Sequence, residues 1–257
     1  MSDEQKPSEA PTPPQGTPNS AIVTLVRTIL DEAQAVDPTT HKPGYKTSEG
    51  MPTDLLAQFG LLEEALEAAG FVVFPMVEFE ADDALGAAAA VAAADPRVEQ
   101  VRICTPDKDL GQCVVGDHVV QVDRRKDAVI DAAGVEEKFG VPPASIPDYL
   151  ALVGDSADGF PGLPGWGAKS ASAVLARYGH LEDIPPLAGD WDVSVRGGAK
   201  LALLFRRIAT IETDAPTVAN VDELEWTGPT SALPQVCDRI DAPGLLERAV
   251  RLAERRA

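Results

Sequence analysis

Three short stretches of this chain concentrate carboxylates beyond what solubility or helix capping requires. The first is Glu80-Ala81-Asp82-Asp83, ahead of an alanine-rich segment. Acids favour a helix N-terminus because they accept from free N–H groups and meet the positive end of the dipole. Three in four residues exceed that need. At helical spacing Glu80 and Asp83 share a side, and crowded carboxylates stay ionised cheaply only around a cation. The second stretch is Thr105-Pro106-Asp107-Lys108-Asp109, after the apolar run Val101–Thr105. A surface turn fits these residue types. If the segment is extended, Asp107 and Asp109 face the same way, at the carboxyl end of a strand, where open parallel sheets bind ligands. The third is Gly154-Asp155-Ser156-Ala157-Asp158-Gly159, in which a local helical turn would put Asp155 and Asp158 on one side.

A glycine- and proline-rich run, Pro161-Gly162-Leu163-Pro164-Gly165-Trp166-Gly167-Ala168-Lys169, follows the third cluster. Successive backbone N–H groups in such a run, leading into a helix, form an anion nest, and Lys169 adds charge. Gly167-Ala168-Lys169-Ser170 departs from the P-loop pattern, because an alanine separates glycine from lysine and a helix, not a strand, precedes the run.

The elements that must hold these clusters follow from the apolar pattern. Residues 1–19 are rich in Pro, Ser, Gln and Glu and read as a disordered tail. Residues 20–36 carry Val23, Val26, Ile29 and Leu30 at helical spacing. Residues 37–52 read as a loop. Thr53 is expected to cap an amphipathic helix with Leu55, Leu56, Phe59, Leu62, Ala65 and Leu66 on one face, ended by Gly70. Strands are expected at Phe71–Pro75, Val101–Thr105 and Val119–Val122, with a helix over Ala81–Ala94; alternation of this kind makes a parallel sheet flanked by helices. Both of the first two acidic clusters would then lie on one edge of the sheet. Beyond about residue 133 the pattern is helix and loop, with helices over Ala144–Val153, Lys169–Tyr178, Ala199–Ile211 and Gly244–Arg256, and Leu175, Tyr178 and Leu181 in the core. Residues 184–198 read as a loop.

Composition narrows the function classes. The 257 residues suffice for one large or two modest domains, and 41 acidic against 22 basic residues give a net charge of −19. That argues against a general nucleic-acid binder, so any DNA contact must be local. Three widely spaced cysteines and three histidines argue against a disulfide frame and a zinc site, and fit a reducing cytoplasm. No apolar run is long enough to cross a bilayer.

In this order the motifs resemble those of bacterial 5′–3′ exonucleases and flap endonucleases, including the 5′-nuclease domain of DNA polymerase I, over residues 44–226. Glu80-Ala81-Asp82-Asp83 is similar to that family's metal motif, Asp107-Lys108-Asp109-Leu110 to its Asp-x-Asp-Leu motif, and Tyr149 to Asp158 to a further acidic motif. Pro161–Gly167 with Lys169 resembles its helix–hairpin–helix, and Gly44-Tyr45-Lys46 the segment that holds a lysine near the scissile phosphate. The resemblance implies an α/β, PIN-like nuclease domain with a central, mostly parallel sheet over residues 20–133, then a helical H3TH DNA-binding domain over 134–257. It implies two divalent ions, magnesium or manganese. Glu80, Asp82 and Asp83 would serve one, and Asp107, Asp109, Asp155 and Asp158 mainly the other. Lys46 and Asp83 would be catalytic. Gly162, Gly165, Gly167 and Lys169 would bind DNA, often with a potassium ion at the hairpin. The expected activity is 5′–3′ exonuclease and flap endonuclease, by a monomer, on 5′ flaps and on nicked or branched duplex, in replication or repair. In the family an opening strand ends in an Asp-Gly that supplies a ligand, and a second strand ends in another Asp. Residues 1–19 carry no such strand, and Asp37-Pro38-Thr39-Thr40-His41-Lys42-Pro43 stands where the second belongs. The chain is therefore expected to lack N-terminal strands and ligands, which leaves open a homologue that binds DNA junctions and cuts poorly.

Overall fold

In a computed structural model, residues 52–185 and 199–255 are described. The expected helix at 20–36, Lys46 and most of the 184–198 loop lie outside them. Five elements make the first half: α1 (Thr53–Ala68), α2 (Ala81–Ala93), β1 (Val101–Ile103), β2 (Val119–Asp123) and β3 (Ala128–Ile130). Five more follow: α3 (Ala132–Phe139), α4 (Ile146–Val153), α5 (Ala168–Tyr178), α6 (Ala199–Ala209) and α7 (Leu233–Arg239), with α8 (Pro243–Glu254) last. No helix among the described residues is long and apolar enough to cross a membrane.

The three strands form one sheet in the order β1-β2-β3, with β1 and β2 parallel (Ile103 opposite Gln121) and β2 and β3 antiparallel (Gln121 opposite Ile130). Ala89 of α2, Ile103, Leu110 and Val119 form a buried cluster, with Cys113 and Ile211 against it. A β-carbon on Gly86 would stand 2.4 Å from Ile211 Cγ2, so the bare backbone of α2 is what lets the segment after α6 approach. Residues Ile146 to Leu152 of α4 are all buried, the mark of an interior helix. It packs mainly on α6, and Phe160 stacks on Phe205 at 5.3 Å between centroids. Its buried Asp148 is tolerated because His180 Nδ1 lies 2.7 Å away and Arg206 Nη1 3.1 Å away.

The structure corrects the sequence reading in several places. Phe71–Pro75 is not a strand: Gly70 at φ +89° turns the chain, Phe71 stacks on Trp226, and Trp226 Nε1 donates to Ala69 O. A run of five apolar residues does not distinguish a strand from a segment held by an aromatic ring. The acidic stretch at Glu80 therefore follows no strand. Pro52, not Thr53, occupies the cap position of α1. Leu55, Phe59, Leu62 and Leu66 are exposed, whereas Ala65, Ala68 and Ala69 pack against Leu233, Val236 and Cys237 of α7. Small side chains permit that close approach, and periodicity counts apolar residues without knowing which stripe meets a partner. Leu175 and Leu181 are buried as expected, but Tyr178 is only half-buried.

Candidate metal centre

The acidic turn after β1 is shaped by a side chain from the neighbouring strand. Gln121, on β2 beside Ile103, is 1% exposed. Its amide donates to Thr105 O at 3.0 Å and also to Asp107 O, so two carbonyls of the turn are fixed from inside the sheet. Asp107 N donates to Thr105 Oγ1, and Asp109 N to Asp107 Oδ1 at 3.2 Å. The segment is thus a turn entering a 3₁₀ helix (Asp109–Cys113), not an extended strand. Asp107 bends back onto the backbone while Asp109 points inward and is buried.

Asp155 and Asp158 arrive from the other side. Asp155 N donates to Phe160 O and Phe160 N to Asp155 O, closing a small loop in place of the expected helical turn. This loop exists because Gly154 (φ +88°) and Gly162 (φ +70°) lie back to back: a β-carbon on either would come within 2.4 Å of the other's backbone neighbours. Only glycine combines that φ with that approach. Leu163 N also donates to Leu152 O. Gly162 is accordingly buried and structural, whereas Gly165, Gly167 and Lys169 are exposed at the start of α5, where Ser170 Oγ accepts from Gly167 N.

One ligand atom each from Asp109, Asp155 and Asp158 lies within 4.8 Å of the others. Asp109 is 5% exposed, and its Oδ1 has no hydrogen-bond partner among the described residues. Burial, and then the Asp158 carboxyl beside it, push Asp109 up to about 8. Burial also raises Asp155, but the Lys108 ammonium and the Ala157 and Asp158 N–H groups outweigh it and hold Asp155 below the usual carboxylate range. Lys108 Nζ is paired with Asp155 Oδ2 and lies 3.8 Å from Asp109 Oδ1. Burial opposes its charge, yet Asp155, Asp109 and Asp107 together raise its pKa. Three converging carboxylates, one of them with a buried and unsatisfied oxygen, form an oxygen donor set that fits a hard divalent cation.

The first acidic cluster is in a different state. Asp83, in the first turn of α2, accepts from Glu80 N at 2.9 Å and, with its other oxygen, from Glu212 N at 2.8 Å. Both oxygens therefore satisfy backbone donors. Glu80 and Asp82 are half-buried at the same helix start. Asp82 and Asp83, together with burial as the first cause, push the Cys113 thiol up to about 11. Among the described residues the group whose ligand atoms all come within 4.8 Å of one another is Asp109, Asp155 and Asp158; Asp107 stands outside that group but close enough to act on the charges of Asp109 and Lys108, and Glu80, Asp82 and Asp83 are not part of it.

The two acidic regions are joined by a segment that motif reading missed. Gln112 Nε2 donates to Asp109 O and to Ala209 O, both at 2.8 Å, and its Oε1 accepts from Ile211 N at 3.0 Å. Residues 209–212 therefore bond both to the 3₁₀ helix carrying Asp109 and to Asp83 of α2. A glutamine two residues after an acidic motif carries no distinctive signal. Gln121 was more legible, as a lone amide inside the apolar run 119–122.

An α/β domain with an acidic pocket at the carboxyl end of a strand, continued by helices and a glycine-rich hairpin, defines the class. The chain matches the model described as "5′-3′ exonuclease, N-terminal resolvase-like domain" over residues 9–140 and "5′-3′ exonuclease, C-terminal SAM fold" over residues 141–232. DNA polymerase I of Pseudomonas aeruginosa is 36% identical over 193 residues, covering 70% of this chain and 21% of the polymerase. The 5′-3′ exonuclease of Mycobacterium tuberculosis is 33% identical over 191 residues, covering 67% of this chain and 59% of that protein. That of Aquifex aeolicus is 39% identical over 133 residues, covering 52% and 45%. A T5 protein co-crystallised with metal ions shares the fold with a TM-score of 0.57 at 19% identity, covering 86% of this chain and 77% of that one. The chain belongs to the 5′-3′ exonuclease family, with its PIN-like α/β domain and helical C-terminal domain. It spans about a fifth of the polymerases' length and roughly half of the two exonucleases'.

Proposed function

We propose that this chain hydrolyses DNA phosphodiesters from 5′ ends and at 5′ flaps or nicks, with magnesium or manganese. The observation that carries the reading is the unsatisfied buried oxygen of Asp109 beside Asp155 and Asp158. Those three carboxylates, with Asp107 near them, would hold one cation; Glu80, Asp82 and Asp83 would contribute to a second. When bound, such ions supply an ionised water and neutralise the leaving oxygen. The chain's own residues do the positioning. Gln121 fixes the turn that aims Asp109, the Gly154–Gly162 contact presents Asp155 and Asp158, and Lys46 would meet the scissile phosphate. Exposed Gly165, Gly167 and Lys169 at the start of α5 would hold duplex backbone through N–H groups and one ammonium, with a potassium ion compatible with the hairpin. DNA contact must be local because the net charge is −19. We take the working form to be a cytoplasmic monomer. The test is release of short products from a 5′-labelled flap with magnesium. Asp155→Asn is expected to lower the rate about 100-fold or more, in line with removal of a group that stabilises developing charge. Equal background from both proteins would reject the reading.

A second reading is a homologue that binds junctions and cuts poorly. It is favoured by Asp83, whose two carboxylate oxygens are both engaged by backbone N–H groups. Under that reading Asp83→Asn changes stability and leaves the cleavage rate as it was, while salt-sensitive binding to flap DNA persists in gel shift.

A further inference from the structure

The acidic pocket contains a cation of its own. Lys108 directly precedes Asp109, and its Nζ is paired with Asp155 Oδ2 across the gap between the two loops. The same ammonium stands 3.8 Å from Asp109 Oδ1, beyond hydrogen-bond reach, and that oxygen has no other partner among the described residues. One ammonium thus stands among three carboxyl groups, and it occupies an oxygen of the group that fits a divalent ion. Its side chain is 33% exposed, against 3% for Asp155, so the ammonium has solvent to move into and the carboxylate does not. A lysine stem is flexible and its head is a compact point charge, which makes its release from a carboxylate inexpensive compared with that of a bidentate arginine.

We propose that Lys108 is a tethered counter-cation that competes with the divalent ion for Asp155 and so sets the affinity of the pocket for metal. This inference rests on the metal reading above. Before an ion binds, Lys108 holds the two acidic loops together through its pair with Asp155. As the ion loads, Asp155 Oδ2 is released by the ammonium, and Lys108 swings toward solvent. Removing Lys108 then has two opposed consequences: the metal-free protein loses stability, and the metal binds more tightly. A lysine that merely supported the site would weaken metal binding when removed, so the sign of the change distinguishes the two roles.

The experiment is calorimetric titration of the full chain with manganese chloride alone, paired with thermal unfolding with and without the ion. Lys108→Met and Lys108→Gln are expected to bind manganese about tenfold more tightly than wild type, equivalent to ~1.4 kcal/mol. Their metal-free melting temperatures should fall, and the rise on adding manganese should exceed that of wild type. Lys108→Arg, which keeps the charge, should bind no more tightly than wild type. Lys126→Met removes an ammonium that pairs with Asp123 instead, and should leave manganese affinity unchanged; this separates local competition from a general change in net charge. Unchanged or weaker binding in both Lys108→Met and Lys108→Gln overturns the proposal, as does tightening in Lys108→Arg or Lys126→Met. If Lys108→Met does not fold without metal, Lys108→Gln and Lys108→Arg carry the same decision. Absence of manganese binding by wild type overturns the metal reading itself and the inference with it.

Discussion

Two acidic clusters of nearly the same composition are held in opposite electrostatic states. At the start of α2, Asp83 spends its charge on backbone donors from Glu80 and Glu212, so the fold is completed by the carboxylate. Between the β1 turn and the Gly154–Gly162 loop, Asp109 is buried against Asp158 with one oxygen unsatisfied, so the carboxylates are a strain the fold must hold in place. Counting acids does not separate these cases. What separates them is whether N–H groups or other carboxylates fill the space around each oxygen.

The most severe way to break the comparison is to part the loop that delivers Asp155. Gly154→Ala would put a methyl 2.4 Å from the Pro161 carbonyl carbon at φ +88°, and should cost about 3 kcal/mol or more in chemical denaturation. Wild-type stability in that variant would mean that the close approach is not needed.

Next come the two clusters set against each other. Asp83→Ala removes an acceptor from two N–H groups and should destabilise by ~2 kcal/mol. Asp109→Asn, measured in chelator at about pH 9, where the Asp109 carboxyl has lost its proton, should instead stabilise by ~1 kcal/mol, because it relieves repulsion beside Asp158. The same sign for both substitutions would remove the distinction drawn here.

A pH series sharpens it further. Asp109 keeps its proton up to about pH 8 when folded, whereas its ordinary value is 3.8. The folded state therefore holds the proton more tightly than the unfolded chain. The associated stability is complete below the unfolded value and is lost as pH rises through the folded one. Melting temperature in chelator should fall from about pH 5 to about pH 8, and saturating magnesium should flatten that fall, because metal favours the ionised carboxylate. Asp155, held below its ordinary value, acts in the opposite sense and only at acid pH, outside that window. A flat profile in chelator would show that Asp109 is not strained.

The smallest effect is expected at the exposed hairpin. Lys169→Ala should leave stability within about 0.5 kcal/mol, as is usual for surface sites. It should lower the slope of log affinity against log salt for flap DNA by about 1. An unchanged slope would remove Lys169 from the DNA surface.

The sequence by itself determined the class of the protein: the order and spacing of the acidic motifs, the glycine-rich hairpin and the alanine-rich helix were all legible, because carboxylates, glycines and period-3.6 apolar residues are local signals. It also marked Asp109, Asp155 and Asp158. Only the tertiary structure decided which acids meet. Helical spacing was the wrong reason for grouping Asp155 with Asp158; a loop closed at Phe160 and a contact between Gly154 and Gly162 group them instead. Gln112 was not distinguished as a positioning residue, since its partners lie up to 99 positions away, and Gln121 stood out only as an amide among valines. Which face of α1 is covered, and which oxygen of Asp109 is left unpaired, depend on what packs opposite, and periodicity along one segment contains no information about its partner.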